Sequence, residues 1–343
     1  MMKKTTAVAV TISFAMALVI SSCSPDSPKM QAKPDLTNEK VVKDNDYMVR
    51  DPKVDILFVV DNSGSMDAHQ KNLAANVGRF ISAFFNRISI DYHIGVLSTD
   101  MDGGITGKCC GRLIGSPLFI DKLTPGPEKD LAARLILGTV GSGTERSFDP
   151  VIAALSPPLD TTVNAGFLRP DAHLAVIFIT DAEDQSKDSS VALYDHLLKI
   201  KGKREKILAY GAIIPSGFND PQCGRDEYNK EPLLIEQFLS MTINKGTNIF
   251  NLCAPDFGDK LASVAEDLAR QVSNTIYLSR APIVSTLKVF YGTQEIPSDA
   301  EYGWSFDAEL NAIHLGAKLE LDPAQPDGTK IRVDFEAASY TQQ

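Results

Sequence analysis

The sequence predicts an α/β fold, with a mostly parallel central sheet, helices on both of its faces and a small C-terminal β unit. Three observations carry this prediction. The stretches VDILFVV (54–60) and HLAVIFI (173–179) are near-continuous apolar runs, the pattern of strands covered on both faces in a parallel sheet. Between the strand-like runs, apolar residues recur at i, i+3, i+4 and i+7, the period of a helix with one buried face. Strand and helix patterns alternate from residue 54 to about residue 272, which calls for parallel strands joined by crossover helices.

The elements follow in order. After the strand 54–60 comes a helix within HQKNLAANVGRFISAFFNRI, with Leu73, Val77, Phe80, Ile81, Phe84 and Phe85 on one stripe. IDYHIGVLST (90–99) reads as a strand, PEKDLAARLIL as a helix, and a further helix is expected directly after Thr144. The strand ending HLAVIFITD (173–181) leads to the helix VALYDHLLKI, the strand KILAYGAII (206–214) and a helix in EPLLIEQFLSM. A short strand, NIFNL, and the helix GDKLASVAEDLARQV complete the alternation. Beyond about residue 280, TLKVFYG, YGWSFD, AIHLG and TKIRVDF are short strands set off by Gly, Pro and Asp turns. About 60 residues are marginal as an independent fold, so this unit is expected to pack on the main domain, with residues 45–50 as a pairing strand. Trp304 is expected in its core. The loops 100–130 and 215–230 are longer than such connections require, and long ordered loops are more often functional than idle.

The N-terminus has its own logic. MMKK is a positive start, TTAVAVTISFAMALVI an apolar core, and small residues precede Cys23, the order of an export signal. The apolar stretch is short for a span of about 20 residues. Ile20, Ser21 and Ser22 before Cys23 resemble the lipobox of bacterial lipoproteins. That resemblance implies lipidation of Cys23, membrane attachment through the lipid and, with Ser24 rather than an aspartate next, sorting to the outer membrane. The expected organisation is a signal peptide at 1–22, a Pro-, Ser- and Lys-rich tether at 23–50, the main α/β domain at 51–280 and the β unit at 281–343.

The chain of 343 residues carries a formal charge of -10. Residues 1–22 contain Lys3, Lys4 and no acid, so the exported chain is more acidic still, at -12. Nucleic acid is excluded as a partner, because it needs a basic footprint. Divalent cations suit the chain better. With Cys23 lipidated, Cys109, Cys110, Cys223 and Cys253 remain, an even number that favours disulfides in an exported protein. Of three connectivities, Cys223 with Cys253 is favoured, leaving Cys109 and Cys110 as a vicinal bridge or reduced. Structural zinc is disfavoured, since no C-x2-C pair occurs and no histidine is close to a cysteine in sequence.

The chemistry concentrates at strand ends. Asp61, Ser63 and Ser65 form D-x-S-x-S after the first strand, Thr144 lies in the Gly-rich stretch GSGTERSFD, and Asp181 ends the second apolar strand. Ligands of open α/β sheets bind at the carboxyl ends of the strands, so these five oxygens can meet. Two carboxylates with hydroxyls suit Mg2+, which keeps several waters; Ca2+ prefers more carboxylates, and Zn2+ wants His or Cys. Asp and Ser are also the common residues of turns and helix caps, and Asp181, Glu183 and Asp184 could serve to open the next helix. Asp184 fits a supporting or helix N-terminal role better than a ligand role. The five histidines are read as core or surface residues. GGITGKC has glycines too close together for a P-loop, and neither NSGSM nor GSGTE forms G-x-S-x-G, so no enzyme is expected.

The order DILFVVDNSGSM, GSGTERSFD, VIFITDAED resembles a von Willebrand factor A (integrin I-type) domain with its metal-ion-dependent adhesion site, over roughly residues 52 to 280. Thr139 offers a second hydroxyl, but Thr144, which follows a glycine, stands where the family's threonine does. The resemblance implies a Rossmann-like fold and a bound Mg2+ or Mn2+ whose open position accepts a carboxylate from a protein partner. Ser63 and Ser65 would bind the ion directly, Thr144 directly or through water, and Asp61 and Asp181 through water. The function so implied is metal-dependent adhesion or assembly by an envelope lipoprotein. The alternatives are a structural envelope protein with a fold-stabilising metal and a metal-dependent hydrolase.

Overall fold

The computed structural model describes residues 43–48, 52–85, 90–103, 107–218, 223, 230–326 and 329–338. The signal peptide, Cys23 and most of the tether lie outside the described residues. Residues Val42–Gln343 form one compact unit. Its elements are β1 (Lys43–Met48), β2 (Lys53–Val60), α1 (Asp67–Phe85), β3 (Asp91–Ser98), α2 (Pro127–Leu135), α3 (Phe148–Ala154), β4 (His173–Ile179) and α4 (Ser190–Lys201). There follow β5 (Ile207–Ile213), α5 (Leu233–Met241), β6 (Ile249–Asn251), α6 (Phe257–Ser273), β7 (Thr275–Tyr277), β8 (Lys288–Tyr291), β9 (Gln294–Ile296), β10 (Trp304–Asp307), β11 (Ala312–Leu315) and β12 (Ile331–Glu336). Among the described residues no helix is long and apolar enough to cross a membrane.

The central sheet has the order β3-β2-β4-β5-β6, and every pairing in it is parallel. This is the Rossmann-like architecture. Alternate residues of β2 serve opposite cores: Val54, Ile56, Phe58 and Val60 join one, Leu57 and Val59 the other. The first core takes Leu73, Val77, Phe80, Ile81 and Phe84 of α1 and Leu261, Val264 and Leu268 of α6. The second takes Phe148 and Val151 of α3, Leu193 and Leu197 of α4, and Phe238 and Leu239 of α5. Each large side chain so buried contributes roughly 1.5–3 kcal/mol, which is why the helical stripe was readable in the sequence. Beyond β3, Ile94 and Ile120 exchange two backbone hydrogen bonds of 2.8 Å, so the long loop after β3 partly covers that sheet edge.

Two antiparallel sheets make up the rest, β1-β12-β8-β9 and β10-β11-β7. They share a core that includes Ile276, Val289, Tyr291, Trp304, Ile313, Val333 and Phe335. Trp304 is buried there, its Nε1 donating to the Ile296 carbonyl at 3.0 Å. The N-terminal strand spans 43–48 rather than 45–50 and pairs with β12, Lys43 opposite Glu336. Strand β7 follows α6 within two residues and pairs with β11, so the β region starts ahead of residue 280. Cys223 bonds to Cys253 with Cα atoms 5.4 Å apart, and Cys109 bonds to Cys110.

The amino end of the sheet is held by a buried ion cluster. Asp55, fully buried on β2, accepts from Arg169 Nε (2.8 Å), the Arg169 backbone N–H (2.8 Å) and Lys201 Nζ (3.2 Å). Burial pushes the Lys201 ammonium below its usual value, and the Asp55 charge opposes that. Removing one partner of such a cluster strands the other charges in the interior, which typically costs 3–5 kcal/mol. Asp55→Ala is therefore expected to lower the unfolding free energy by about 3–5 kcal/mol in urea titration; a loss within about 0.5 kcal/mol, typical of surface positions, would show that the cluster is not what secures this end.

Candidate metal centre

At the opposite end of β2 the chain turns at Asp61, whose backbone N–H donates to the Ile179 carbonyl at the end of β4 (2.9 Å). Asp61 is fully buried. Its Oδ1 accepts from the Ser63 N–H (2.8 Å), an Asx turn that reverses the chain, and its Oδ2 accepts from the Thr180 hydroxyl (2.6 Å). A 3-10 turn, Gly64–Met66, then leads into α1. Ser63 Oγ and Ser65 Oγ lie 3.0 Å apart, and Ser65 Oγ donates to Asp181 Oδ1 at 3.0 Å. Four of the five predicted residues thus share one hydrogen-bonded cluster, across 116 residues of chain between Ser65 and Asp181.

The loop before α3 closes over this cluster. Gln70 on α1 donates to the Asp61 carbonyl (2.9 Å) and the Gly138 carbonyl (3.0 Å) and accepts from the Gly138 N–H (3.1 Å). Gly141 donates to the Asn62 carbonyl at 2.8 Å, and a Cβ there would lie 2.3 Å from Asn62 Oδ1, so the approach requires glycine. Thr144 is half-buried; its N–H donates to Ser142 Oγ (3.0 Å), and among the described residues no hydrogen bond joins its hydroxyl to Asp61, Ser63, Ser65 or Asp181. The next residue, Glu145, is buried, and its Oε2 accepts from Gln185 Nε2 at 2.6 Å.

Helix α3 begins at Phe148 rather than directly after Thr144. Its N-terminus is served from a distant loop, which a local pattern cannot show. Asp184 Oδ1 accepts from the Ser147 N–H (2.6 Å) and the Phe148 N–H (3.2 Å), and Ser186 Oγ accepts from Phe148 and Asp149. Asp184 therefore supports α3, while α4 is capped by Ser189. The long loop after β3 also approaches: the Cys110 N–H donates to the Asp100 carbonyl (2.9 Å), placing the vicinal disulfide at the carboxyl end of the sheet.

Burial raises the Asp61 carboxyl to about 6, with the Asp181 charge adding and the Thr180 and Ser63 hydrogen bonds opposing. Burial also raises Glu145 to about 7, helped by the Asp61 and Asp181 charges. His69, on the first turn of α1, has Nε2 3.9 Å from Asp181 Oδ2, and burial lowers its pKa. The sequence pointed to neither His69 nor Glu145 as a neighbour of the site; the only signal for Glu145 was its place beside Thr144. Among the described residues no three His, Cys, Asp or Glu side chains form a metal cluster by themselves. An ion here would depend on the two serine hydroxyls. Buried acids held at raised pKa beside serine hydroxyls match a hard divalent cation, which would offset their repulsion.

No family model and no curated protein sequence matches this chain. Among solved structures it is similar to proximal thread matrix protein 1 from the mussel byssus, at 11% identity over 69% of this chain and 51% of that one, TM-score 0.40. The same mussel protein with a zinc-occupied MIDAS motif matches at 10% identity over 68% of this chain and 52% of that one, TM-score 0.40. The pilus adhesin SpaC of Lactobacillus rhamnosus GG matches at 13% identity over 85% of this chain and 40% of that one, TM-score 0.40. The chain spans about half the length, or less, of these structures.

An acid whose folded pKa lies above its unfolded value weakens the native state, fully above the folded value and not at all below the unfolded one. For Asp61 the window runs from about 6 down to the ordinary carboxyl value of 3.8. In chelator at pH 8, Asp61→Asn is expected to stabilise the protein by up to roughly 3 kcal/mol, with the gain fading as pH falls to 4. Urea titrations across that range measure it; no gain at pH 8 would mean that the carboxylate is not electrostatically burdened.

Proposed function

We propose that this chain is a divalent-metal-dependent protein-binding protein of the von Willebrand factor A type, working in adhesion or assembly at a bacterial envelope. The observation that carries the reading is the Ser63–Ser65–Asp181 hydrogen-bonded path beside buried Asp61, built where the sheet order reverses between β2 and β4. Asp61, Ser63, Ser65 and Asp181 hold Mg2+ or Mn2+, and the loop carrying Thr144 supplies a fifth oxygen. The bound ion provides an electrophilic position for a carboxylate presented by the partner protein. The chain's own groups orient the site: Thr180 and the Ser63 N–H fix Asp61, and Gln70 ties the two loops together. Binding rather than hydrolysis is proposed, because the five residues read as the metal site, Asp61, Ser63, Ser65, Thr144 and Asp181, include no spare base.

In this proposal Cys23 carries the lipid that anchors the protein to the outer membrane, residues 23–50 form a tether whose last part is β1, and residues 281–343 make a small β domain. The support is the signal-like order of residues 1–23. Cys23→Ala is expected to abolish lipid labelling and shift the chain to the soluble fraction; continued labelling would remove the anchor from the proposal.

The metal reading is tested by calorimetric titration of Mg2+ and Mn2+ into the exported chain from residue 24, wild type beside Ser63→Ala and Asp181→Ala. Binding by the wild type and a loss of about tenfold or more in both folded variants is expected. Equal binding by all three would place any metal elsewhere.

A further inference from the structure

We propose that the Cys109–Cys110 bridge is a thiol–disulfide exchange site that takes a dithiol reductant, and that its opening loosens the loop over the candidate metal centre. The exchange stands apart from the metal reading above; only its consequence for the centre rests on that reading.

The two bridges differ in what they constrain and in what can reach them. Cys223–Cys253 joins residues 30 apart in sequence, with Cys223 buried in the core that holds α1 and α6 and Cys253 packed against it. A bridge of that kind restricts the unfolded chain and is shielded from a reductant. Cys109–Cys110 joins adjacent residues. It encloses no length of chain, so loop closure gives it no stabilising role, and both of its residues are half-exposed.

The backbone at the bridge is held in an unfavourable conformation. The Arg112 N–H donates to the Cys109 carbonyl at 3.1 Å, closing a turn whose central residues, Cys110 and Gly111, have φ of 64° and 76°. Turns with two left-handed central residues are built mostly from Gly, Asn and Asp. Gly111 suits the turn, and Ala153 of α3, 2.8 Å from where a Cβ would stand, requires glycine there. Cys110 does not suit it, because a Cβ at such a φ crowds the following carbonyl oxygen. The bridge ties Cys110 to its neighbour in a small ring and keeps it in that conformation. Disulfides that are strained or exposed are the readily reduced ones.

Two sets of contacts lead from this turn to the loop over the centre. On one side Lys108 Nζ donates to the Leu137 carbonyl at 3.2 Å, and the next residue, Gly138, is gripped by Gln70, which also holds the Asp61 carbonyl. On the other the Cys110 N–H donates to the Asp100 carbonyl at 2.9 Å; Asp100 Oδ1 accepts from the Asp102 N–H at 2.9 Å, and Asp102 Oδ2 accepts from Ser142 Oγ at 2.7 Å. The stretch from Leu137 to Ser142 is thus tied to the bridge near both of its ends. Exchange begins when one thiolate of the dithiol attacks a sulfur of the bridge, the Cys–Cys bond breaks and the other cysteine leaves as a thiolate. The second thiol of the reductant then displaces the first cysteine. The reductant ends as a disulfide and the protein with two thiols, two electrons and two protons having passed to it.

The test equilibrates the exported chain from residue 24, without added metal, in graded ratios of reduced to oxidised dithiothreitol. Free thiols are trapped with N-ethylmaleimide and located by peptide mass spectrometry. Cys109–Cys110 is expected to open at a ratio about tenfold or more below the one that opens Cys223–Cys253. In protein reduced only at Cys109 and Cys110, the Gly138 and Gly141 amides, bonded to Gln70 and to the Asn62 carbonyl, are expected to exchange hydrogen about tenfold or more faster than in the oxidised protein. Cys109→Ser combined with Cys110→Ser, which carries no such bridge, is expected to show the same fast exchange. Opening of Cys223–Cys253 first, or at the same ratio, overturns the exchange site. Oxidised-like protection of Gly138 and Gly141, in the selectively reduced protein or in the double variant, overturns the coupling to the loop. Because no metal takes part, failure of the metal reading shows in its own titration and not in this one.

Discussion

The constraint on which the rest of the structure depends is the reversal of strand order between β2 and β4. In a parallel sheet each strand leaves at the same edge, and the connections from neighbouring strands pass to one face or the other. Here β2 leads to α1 on one face and β4 to α4 on the other, so their connections part at the carboxyl edge, where open α/β sheets bind ligands. The bond from the Asp61 N–H to the Ile179 carbonyl ties the two strand ends together there. Every group of the candidate site is placed relative to it.

Strand β2 carries a buried aspartate near each end, and the two are treated in opposite ways. Asp55 is met by Arg169 and Lys201, so its charge is neutralised by the chain itself. Asp61 receives neutral donors, the Ser63 N–H and the Thr180 hydroxyl, and its carboxyl stays raised to about 6. One end of the strand is closed electrostatically and serves stability. The other is left negative, with hydroxyls beside it, and suits an outside cation. That asymmetry links the energetics of the fold to the proposed function more directly than any single motif does.

The loops over the carboxyl edge are ordered by polar contacts of their own as well as by Leu113, Ile120 and Leu137, which enter the apolar cores. Gln70 bridges two of them, Gly141 permits the close approach to Asn62, and Asp184 reaches across to hold the start of α3. Glycine at 141 is required by contact, since any side chain would displace the Asn62 amide. The vicinal Cys109–Cys110 bridge lies in the remaining loop, tied to the end of β3 through the Asp100 carbonyl. A surface assembled in this way has fixed backbone positions while its outer side chains remain available for contact.

The sequence by itself determined the sheet, its helices and the core of the site, because those depend on neighbours. Apolar runs mark β2 and β4, the stripe of α1 is periodic, and D-x-S-x-S is a turn that Asp61 makes with its own next residues. The short strands β7 and β9 were not legible, since three residues carry no period and form only through partners such as β11 and β8. The start of α3 was misjudged because its capping groups, Asp184 and Ser186, lie well over thirty residues away. That Gln185 holds the buried Glu145 carboxylate was decided only by the tertiary structure, because the two residues lie 40 apart in the chain and no local pattern joins them.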